Sequence, residues 1–111
     1  MEIIITEHQN CNSIKITGRI DSYTTPKIKQ TLQTLIDDGH HNLVMDLSDV
    51  YYLSSAGILM FVNIQKQFLR NKIGKIMFSE VPDLVYSNIK LAGFQQLFEF
   101  VDDTTTAFGR F

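Results

Sequence analysis

Five short segments of the chain have the apolar pattern of β-strands. The first is β-branched, the second alternates polar with apolar residues, and the third is almost continuously apolar, as a strand covered on both faces would be. The segments are residues 3–5, 13–17, 43–47, 75–78 and 98–101. Turn-forming residues 9–12 separate the first two, which predicts an N-terminal hairpin. We expect the third strand to end at Ser48 and Asp49.

Three other segments repeat apolar residues at the spacing of an amphipathic helix. Capping residues, proline and glycine predict where these helices start and stop. The first helix is predicted to run from Thr25, the N-cap before Pro26, to Gly39. The second is predicted from Ser55 to about Asn71, and the third from Pro82 to Gly93. In the second helix we expect Gln65 on the polar outer face. After the last strand, residues 102–104 predict a short helical turn.

The order of these elements, ββαβαβαβ plus a terminal turn, predicts an α/β fold. Strands that alternate with helices imply right-handed crossovers and a mostly parallel sheet of about five strands, with the first hairpin adding an antiparallel strand. The chain has no repeat and no linker, so residues 1–111 are expected to form one domain. In such sheets functional residues gather beyond the carboxyl ends of the strands, and residues 46–57 should run through that region.

Charge and composition exclude several classes of partner. The 10 basic and 12 acidic residues give a net charge of -2, and no stripe of Lys and Arg suits nucleic acid. The longest apolar run, 56–62, is too short to span a membrane, and the first residues carry acid where a signal peptide needs base. The single cysteine, Cys11, fits a reducing compartment. We therefore expect a soluble, unprocessed, cytoplasmic protein that binds neither nucleic acid nor membrane.

The sequence also argues against catalysis, metals and cofactors. Ser55 and Asp46 could form a nucleophilic triad with one of two adjacent histidines. Those histidines, His40 and His41, precede the strand whose end leads to Ser55, so they should lie on the opposite rim of the sheet. No nucleophile elbow, metal-ligand spacing or phosphate-cradling glycine loop is present. We predict no catalytic residue, no bound metal and no cofactor.

Ser54 and Ser55 place two hydroxyls at the predicted start of the second helix. Serine is a common N-cap, so these hydroxyls could serve only to satisfy free N–H groups. The same position would also tolerate a phosphate, because the helix dipole and free amides stabilise negative charge. A phosphate on a partly apolar docking face would weaken binding by desolvation and repulsion, which would make Ser55 a switch. Both interpretations remain open on the residues alone.

Three stretches of the chain resemble the landmarks of the STAS domain, which is found in bacterial anti-sigma-factor antagonists. The signature loop of that family is similar to Asp46-Leu47-Ser48-x-Val50-x-x-Leu53-Ser54-Ser55-Ala56-Gly57. The other two landmarks are similar to Gly18-Arg19-Ile20-Asp21-x-x-Thr24 and Leu91-x-Gly93-Phe94-x-x-Leu97-Phe98. The element order agrees as well, so the resemblance covers nearly the whole chain and implies the STAS fold.

The resemblance implies a partner-switching regulator. Such a protein, when unphosphorylated, binds an anti-sigma factor that is also a serine kinase of the histidine-kinase-like ATPase type, and so releases a sigma factor. Phosphorylation by that kinase ends the binding, and a serine phosphatase restores it. Alignment on Gly57 carries the phosphoacceptor onto Ser55. This chain has Ser54 and Ala56 where well-known members have aspartate and serine or threonine, so Ser54 is the second choice.

The predicted partner-binding residues cluster around that serine. They are Asp21, Thr24, Ser54, Ser55, Ala56, Gly57 and Ile58. Asp21 could instead only form the turn before the first helix, and burial in the core would by itself explain Ile58. Asp46 is expected to support the loop by accepting its backbone N–H groups. Gly57 is expected to allow close approach in the first helical turn, so that Gly57→Val harms function before stability.

Two other functions remain open within the same family. The chain could be a STAS partner switch with an output other than transcription, such as secretion, motility or a phosphatase. It could also be a structural or sensory STAS module that is never phosphorylated. The serine at position 54, where the family has an acid, is the feature that motivates the second alternative.

Overall fold

The computed structural model describes all residues, Met1–Phe111, and its elements follow the predicted order. The elements are β1 (Glu2–Glu7), β2 (Asn12–Ile20), α1 (Thr25–Asp37), β3 (Asn42–Leu53), α2 (Ser55–Asn71), β4 (Lys75–Ser79), α3 (Asp83–Leu91), a 3-10 turn (Gln95–Leu97), β5 (Glu99–Val101) and α4 (Thr104–Phe108). No helix reaches the length and apolar character that crossing a bilayer requires.

The five strands form one sheet in the order β1-β2-β3-β4-β5. β1 pairs with β2 in antiparallel fashion, whereas β2, β3, β4 and β5 pair in parallel. The predicted hairpin and the mostly parallel α/β sheet are therefore confirmed. Because the parallel strands point the same way, the starts of α1, α2 and α3 lie near one rim of the sheet.

The prediction that β3 ends at Ser48 and Asp49 is wrong. The strand continues to Leu53, because the second half of β2 pairs with its extension: Ile20 lies opposite Leu53. A register shift in this pairing marks a bulge, at which the Oδ1 atom of Asp46 accepts the N–H of Ser48 at 2.9 Å. The polar residues are thus accommodated inside the strand. As a result β3 leads directly into α2, with no long loop between them.

The start of α1 also differs from the prediction. Thr24, and not Thr25, is the N-cap, and no side chain caps the helix. The Oγ1 atom of Thr25 is buried and has no hydrogen-bond partner. The end is as predicted: the helix stops at Asp37, and Gly39 has a φ of +92°, with its N–H bonded to the Ile36 carbonyl.

The main hydrophobic core lies between the sheet and the apolar faces of α1, α2 and α3. Its fully buried members include Ile14, Ile16, Ile28, Leu32, Phe61 and Phe68. A smaller cluster, Cys11, Val44, Met77 and Ala107, lies under α4. Burial raises the pKa of the Cys11 thiol, so this cysteine is packed as an apolar side chain.

One polar residue of α2 does not lie where its sequence position suggests. Gln65 was expected on the outer face of the helix, but it is buried. Its Oε1 atom accepts the N–H of Ile76 at 2.7 Å, and its Nε2 atom donates to the Leu97 carbonyl at 3.1 Å. These two bonds connect α2 to β4 and to the turn before β5, and they satisfy the buried amide.

Candidate functional site

The start of α2 is joined to the ends of β2 and β3. Ile20 and Leu53, the last residues of those strands, are paired with each other. The N–H of Ser54 donates to the Ile20 carbonyl at 2.8 Å, which holds the first turn of α2 against the sheet. The position of the two serines is therefore set by the sheet and does not depend on a mobile loop.

Ser54 is the N-cap of α2. Its backbone is extended, and its Oγ atom accepts the N–H of Gly57 at 3.3 Å. Its carbonyl accepts the N–H of Ile58 at 3.0 Å, which is the first helical bond. Ser54 is only half-buried, but its hydroxyl has a structural role at the helix start. Of the two interpretations left open by the sequence, capping applies to Ser54.

Ser55 is the first residue of α2 and is exposed. It lies in the first turn, where backbone N–H groups have no partner within the helix and the dipole favours negative charge. The cap function is already performed by Ser54, so the hydroxyl of Ser55 is not needed for that role. Because Ser55 is exposed, a substituent on its hydroxyl would leave the core unchanged.

Both serines line a groove of about 360 Å³ between α2 and α3. The other lining residues are Tyr52, Leu53, Ile58, Asn88, Leu91 and Ala92. None of these side chains is a carboxylate or an imidazole, so no group in the groove could activate a serine hydroxyl as a nucleophile. The groove can accept an apolar partner surface, because Leu91 on its rim is 86% exposed.

Asp21 organises the turn between β2 and α1. Its Oδ1 atom accepts the N–H groups of Tyr23 at 2.9 Å and Thr24 at 3.1 Å. The Thr24 N–H, together with the Tyr23 N–H and the Arg19 guanidinium, lowers the pKa of the Asp21 carboxyl. The turn-forming interpretation of Asp21 therefore has direct support.

Thr24, another predicted partner-binding residue, also bonds within this turn. Its Oγ1 atom donates to the Arg19 carbonyl at 2.8 Å and accepts the N–H of Asp21 at 2.9 Å. The turn presents Tyr23, which is 91% exposed, to solvent. Asp21 and Thr24 thus shape the surface beside α1, and Tyr23 is the side chain that extends from it.

Two of the predicted partner-binding residues are buried. Ile58 is 5% exposed and belongs to the main core. A Cβ atom on Gly57 would lie 2.6 Å from Cγ2 of Ile20 and 2.8 Å from Cδ1 of Leu53. The close approach expected at Gly57 is therefore an approach of α2 to its own sheet. Gly57 and most of Ile58 therefore support the start of α2 from the core side, although Ile58 also lines the groove beside the serines.

We expect Gly57→Val to lower the free energy of unfolding by about 1–3 kcal/mol, because the added atoms would overpack the contact with Ile20 and Leu53. This reverses the expectation that function would suffer before stability. Urea unfolding measures the change. Ala56→Val, at the exposed neighbouring position, is the control and should cost about 0.5 kcal/mol through helix propensity alone. A wild-type unfolding midpoint for Gly57→Val would contradict the packing argument.

The other residues named in the sequence-based prediction lie away from this groove. Asp46 supports the bulge in the middle of β3, seven residues before the end of that strand, so the loop it was expected to support is a strand. His40 and His41 precede β3, whereas Ser55 follows it, which places them on opposite rims as predicted. No group of three or more His, Cys, Asp or Glu side chains is arranged to hold a metal ion.

Two side chains beside the serines, Tyr52 and Leu91, are absent from the predicted partner-binding residues. Tyr52 lines the groove and stacks with Arg19, whose Cζ atom lies 4.4 Å from the ring centroid. Leu91 comes from α3, 36 residues after Ser55 in the chain. Its place in the third family landmark was the signal that could have identified it.

The model of the STAS domain family matches residues 2–107 of the chain. Among curated proteins, the anti-sigma-B factor antagonist of Staphylococcus epidermidis is 30% identical over 64 residues, which are 58% of this chain and 59% of that protein. The anti-sigma-B factor antagonist of Staphylococcus aureus strain NCTC 8325 is 28% identical over 71 residues, which are 64% of this chain and 66% of that protein. The chain thus spans less than two thirds of the length of either relative.

Solved structures show the same fold. An anti-sigma factor antagonist from Mycobacterium paratuberculosis has a TM-score of 0.87 at 21% identity, covering 98% of this chain and 92% of that one. The phosphorylated form of the Bacillus cell fate determinant SpoIIAA has a TM-score of 0.74 at 11% identity, covering 98% of both chains. The murine anion transporter Slc26a9 has a TM-score of 0.75 at 17% identity, covering 95% of this chain but 18% of the transporter.

Proposed function

Because the chain belongs to the STAS domain family, we propose that it is an anti-sigma factor antagonist, a binding protein and not an enzyme, built as a single STAS domain over residues 1–111. In its unphosphorylated form it would bind an anti-sigma factor, and phosphorylation of Ser55 would release it. The observation that carries this proposal is the exposed Ser55 hydroxyl in the first turn of α2, next to a cap that Ser54 already provides.

The geometry favours Ser55 over Ser54 as the phosphoacceptor. A phosphate on Ser54 would replace the hydroxyl that accepts the Gly57 N–H, and it would occupy a half-buried position close to the sheet. A phosphate on Ser55 would leave that cap intact and gain from the helix dipole. Modification of Ser55 would therefore change the charge of the surface with little cost to the fold, as a reversible switch requires.

The partners follow from this mechanism. The anti-sigma factor would also be the serine kinase, of the histidine-kinase-like ATPase type, and a serine phosphatase would restore the binding form in the cytoplasm, where a sigma factor acts. The docking face would combine the polar turn of Ser54 and Ser55 with exposed apolar groups, among them Leu91. A new phosphate disrupts binding most on an uncharged, apolar face of this kind.

We expect Leu91→Ser to weaken binding to the cognate anti-sigma factor about tenfold, because the apolar area that Leu91 would bury in the complex is lost. Leu91 is 86% exposed in the free protein, so the fold should be unaffected. Leu84→Ser is the matched control, since Leu84 is 68% exposed on the same helix but does not line the groove. Titration by calorimetry gives both affinities. Equal losses for the two variants would argue against docking at this groove.

The proposed function is tested by incubating the full chain with its cognate kinase and ATP, followed by mapping of phosphorylated residues by mass spectrometry. We expect one phosphate, on Ser55, and none on the Ser55→Ala variant. Phosphate on Ser54 would contradict the argument from the cap. The phosphorylated protein should no longer bind the kinase, which a pull-down with the purified partner measures.

A second candidate function is a STAS module that acts without phosphorylation. Two observations favour it: Ser54 replaces the acid of the family signature, and the same fold occurs as a small part of a larger transporter protein. Absence of phosphate on both serines after exposure to the kinase would select this candidate. A partner switch that controls secretion, motility or a phosphatase would instead be phosphorylated, but its kinase would bind no sigma factor.

A further inference from the structure

β1 forms one edge of the sheet and has no partner on its outer side. It pairs only with β2, over six consecutive residues without a register shift. Its outward backbone N–H and C=O groups are therefore free, in a regular row of the kind to which another strand can add. None of the residues that line the Ser55 groove belongs to β1, so this edge is a separate surface.

The opposite edge of the sheet, formed by β5, is protected against pairing with another chain. β5 has three residues, and its first residue, Glu99, bonds to Lys75 at 3.0 Å and to Arg110. Short length and paired charges are common ways in which proteins prevent an edge from pairing with another chain. Of the two edge strands, only β5 combines short length with paired charges.

β1 has the opposite character. It is twice as long as β5, contains no proline or bulge, and has three consecutive isoleucines. Ile3 packs against the main core, whereas Ile4 and Ile5 remain 52% and 44% exposed. Exposed β-branched residues on a regular edge strand favour cross-strand packing with an added strand.

The charges at the ends of β1 indicate which strand would fit. Glu2 and Glu7, both exposed, are the first and last residues of the strand. If two copies paired in antiparallel fashion with full overlap, Glu2 of each copy would face Glu7 of the other. Like charges directly opposite each other destabilise a strand pair. A second copy of this chain is therefore disfavoured, and a strand with basic ends is favoured.

We propose that β1 is a docking strand for an extended segment of a partner protein, which adds antiparallel to the edge with Lys or Arg opposite Glu2 and Glu7 and apolar residues opposite the isoleucines. The backbone would supply hydrogen bonds, the isoleucines apolar contact, and the two glutamates the selection of register and partner. This surface would act independently of Ser55, so phosphorylation of Ser55 would not change binding at β1.

The test uses the full chain and two hexapeptides with blocked ends, Lys-Thr-Val-Val-Val-Lys and Glu-Thr-Val-Val-Val-Glu. NMR titration with hydrogen exchange locates binding and gives both affinities. We expect the lysine peptide to protect the outward amides of β1 and to bind about tenfold more tightly than the glutamate peptide. The variant carrying Glu2→Lys and Glu7→Lys should reverse this preference, while its thermal unfolding remains that of the wild type.

Three results would overturn the proposal. The first is equal affinity for the two peptides, and the second is failure of the lysine peptide at millimolar concentration to protect β1. The third is protection of the same amides without peptide, rising with protein concentration, which would show that β1 pairs with a second copy. Because none of these measurements involves Ser55 or the kinase, they test the edge separately from the proposed antagonist function.

Discussion

Ser55→Asp is expected to weaken binding to the anti-sigma factor at least about tenfold, and Ser55→Ala is expected to bind as tightly as the unphosphorylated protein. The aspartate would place an unpaired charge on the proposed docking surface, which is lined by Tyr52, Leu91 and other uncharged groups. Burying such a charge costs about 2 kcal/mol or more, and each 1.4 kcal/mol corresponds to about tenfold in affinity. Phosphoserine, with about twice the charge, should have the larger effect.

The fold should tolerate the same change. Ser55 begins α2, and a carboxylate at a helix N-terminus adds about 0.3–1 kcal/mol of stability at low ionic strength. Thermal unfolding of Ser55→Asp should therefore occur at or slightly above the wild-type temperature. This result would separate a loss of binding from a loss of structure, because Ser55→Asp would bind the partner more weakly than the wild type while being at least as stable.

A control for charge alone is available in α4. Thr105→Asp puts the same charge at the second residue of another helix, at an exposed site away from the Ser55 groove. Its affinity for the partner should match that of the wild type. If Thr105→Asp and Ser55→Asp weakened binding equally, the effect would reflect net charge. If Ser55→Ala and Ser55→Asp bound equally, Ser55 would not be the switch.

Gly74→Ala is expected to destabilise the fold strongly, and more than Gly57→Val does. A Cβ atom on Gly74 would lie 2.0 Å from the backbone oxygen and 2.7 Å from the backbone carbon of His41. That carbonyl also accepts the N–H of Lys75 at 3.0 Å, so the start of β4 is held against the segment before β3. Backbone atoms cannot rotate away as a side chain can, and we expect a loss of at least about 3 kcal/mol, the upper end of typical overpacking costs.

Urea unfolding measures this loss, and Gly109→Ala is the matched control. Gly109 has a φ of -85°, which alanine adopts readily, and the nearest atom to its Cβ position is the Thr106 carbonyl oxygen at 3.9 Å. The control should unfold within about 0.5 kcal/mol of the wild type. A wild-type midpoint for Gly74→Ala would mean that β4 can move away from the loop before β3.

Local patterns predicted most of the fold correctly. The helical repeat of α2, the alternation in β2 and the stop signals at Gly39 and Gly93 each depend on a few neighbouring residues. Both predicted elements are present, although β2 continues past the predicted 13–17 to Ile20, and the two glycines each lie two residues beyond the end of a helix. The predictions were wrong where contacts between residues far apart in the chain determine the structure. β3 was predicted too short because its second half is stabilised by pairing with β2, about thirty residues earlier in the chain.

The same distinction applies to the candidate site. Helix capping is local, so the sequence placed two serines at the start of α2, and the family resemblance singled out Ser55. The sequence could not show that the Ser54 hydroxyl accepts the Gly57 N–H, or that Leu91 is exposed beside the serines. Those facts depend on how α2 and α3 pack on the sheet.

The order and type of the elements, the STAS resemblance and the position of the serine pair could therefore be read from the sequence alone, because periodicity, capping and motif spacing are properties of short segments. Tertiary contacts were needed to show that Ser54 caps α2 while Ser55 is exposed, which apolar groups surround the pair, and that β1 forms an open edge of the sheet. Those outcomes depend on contacts between residues far apart in the chain, and the geometry of such contacts is set by packing of the whole core.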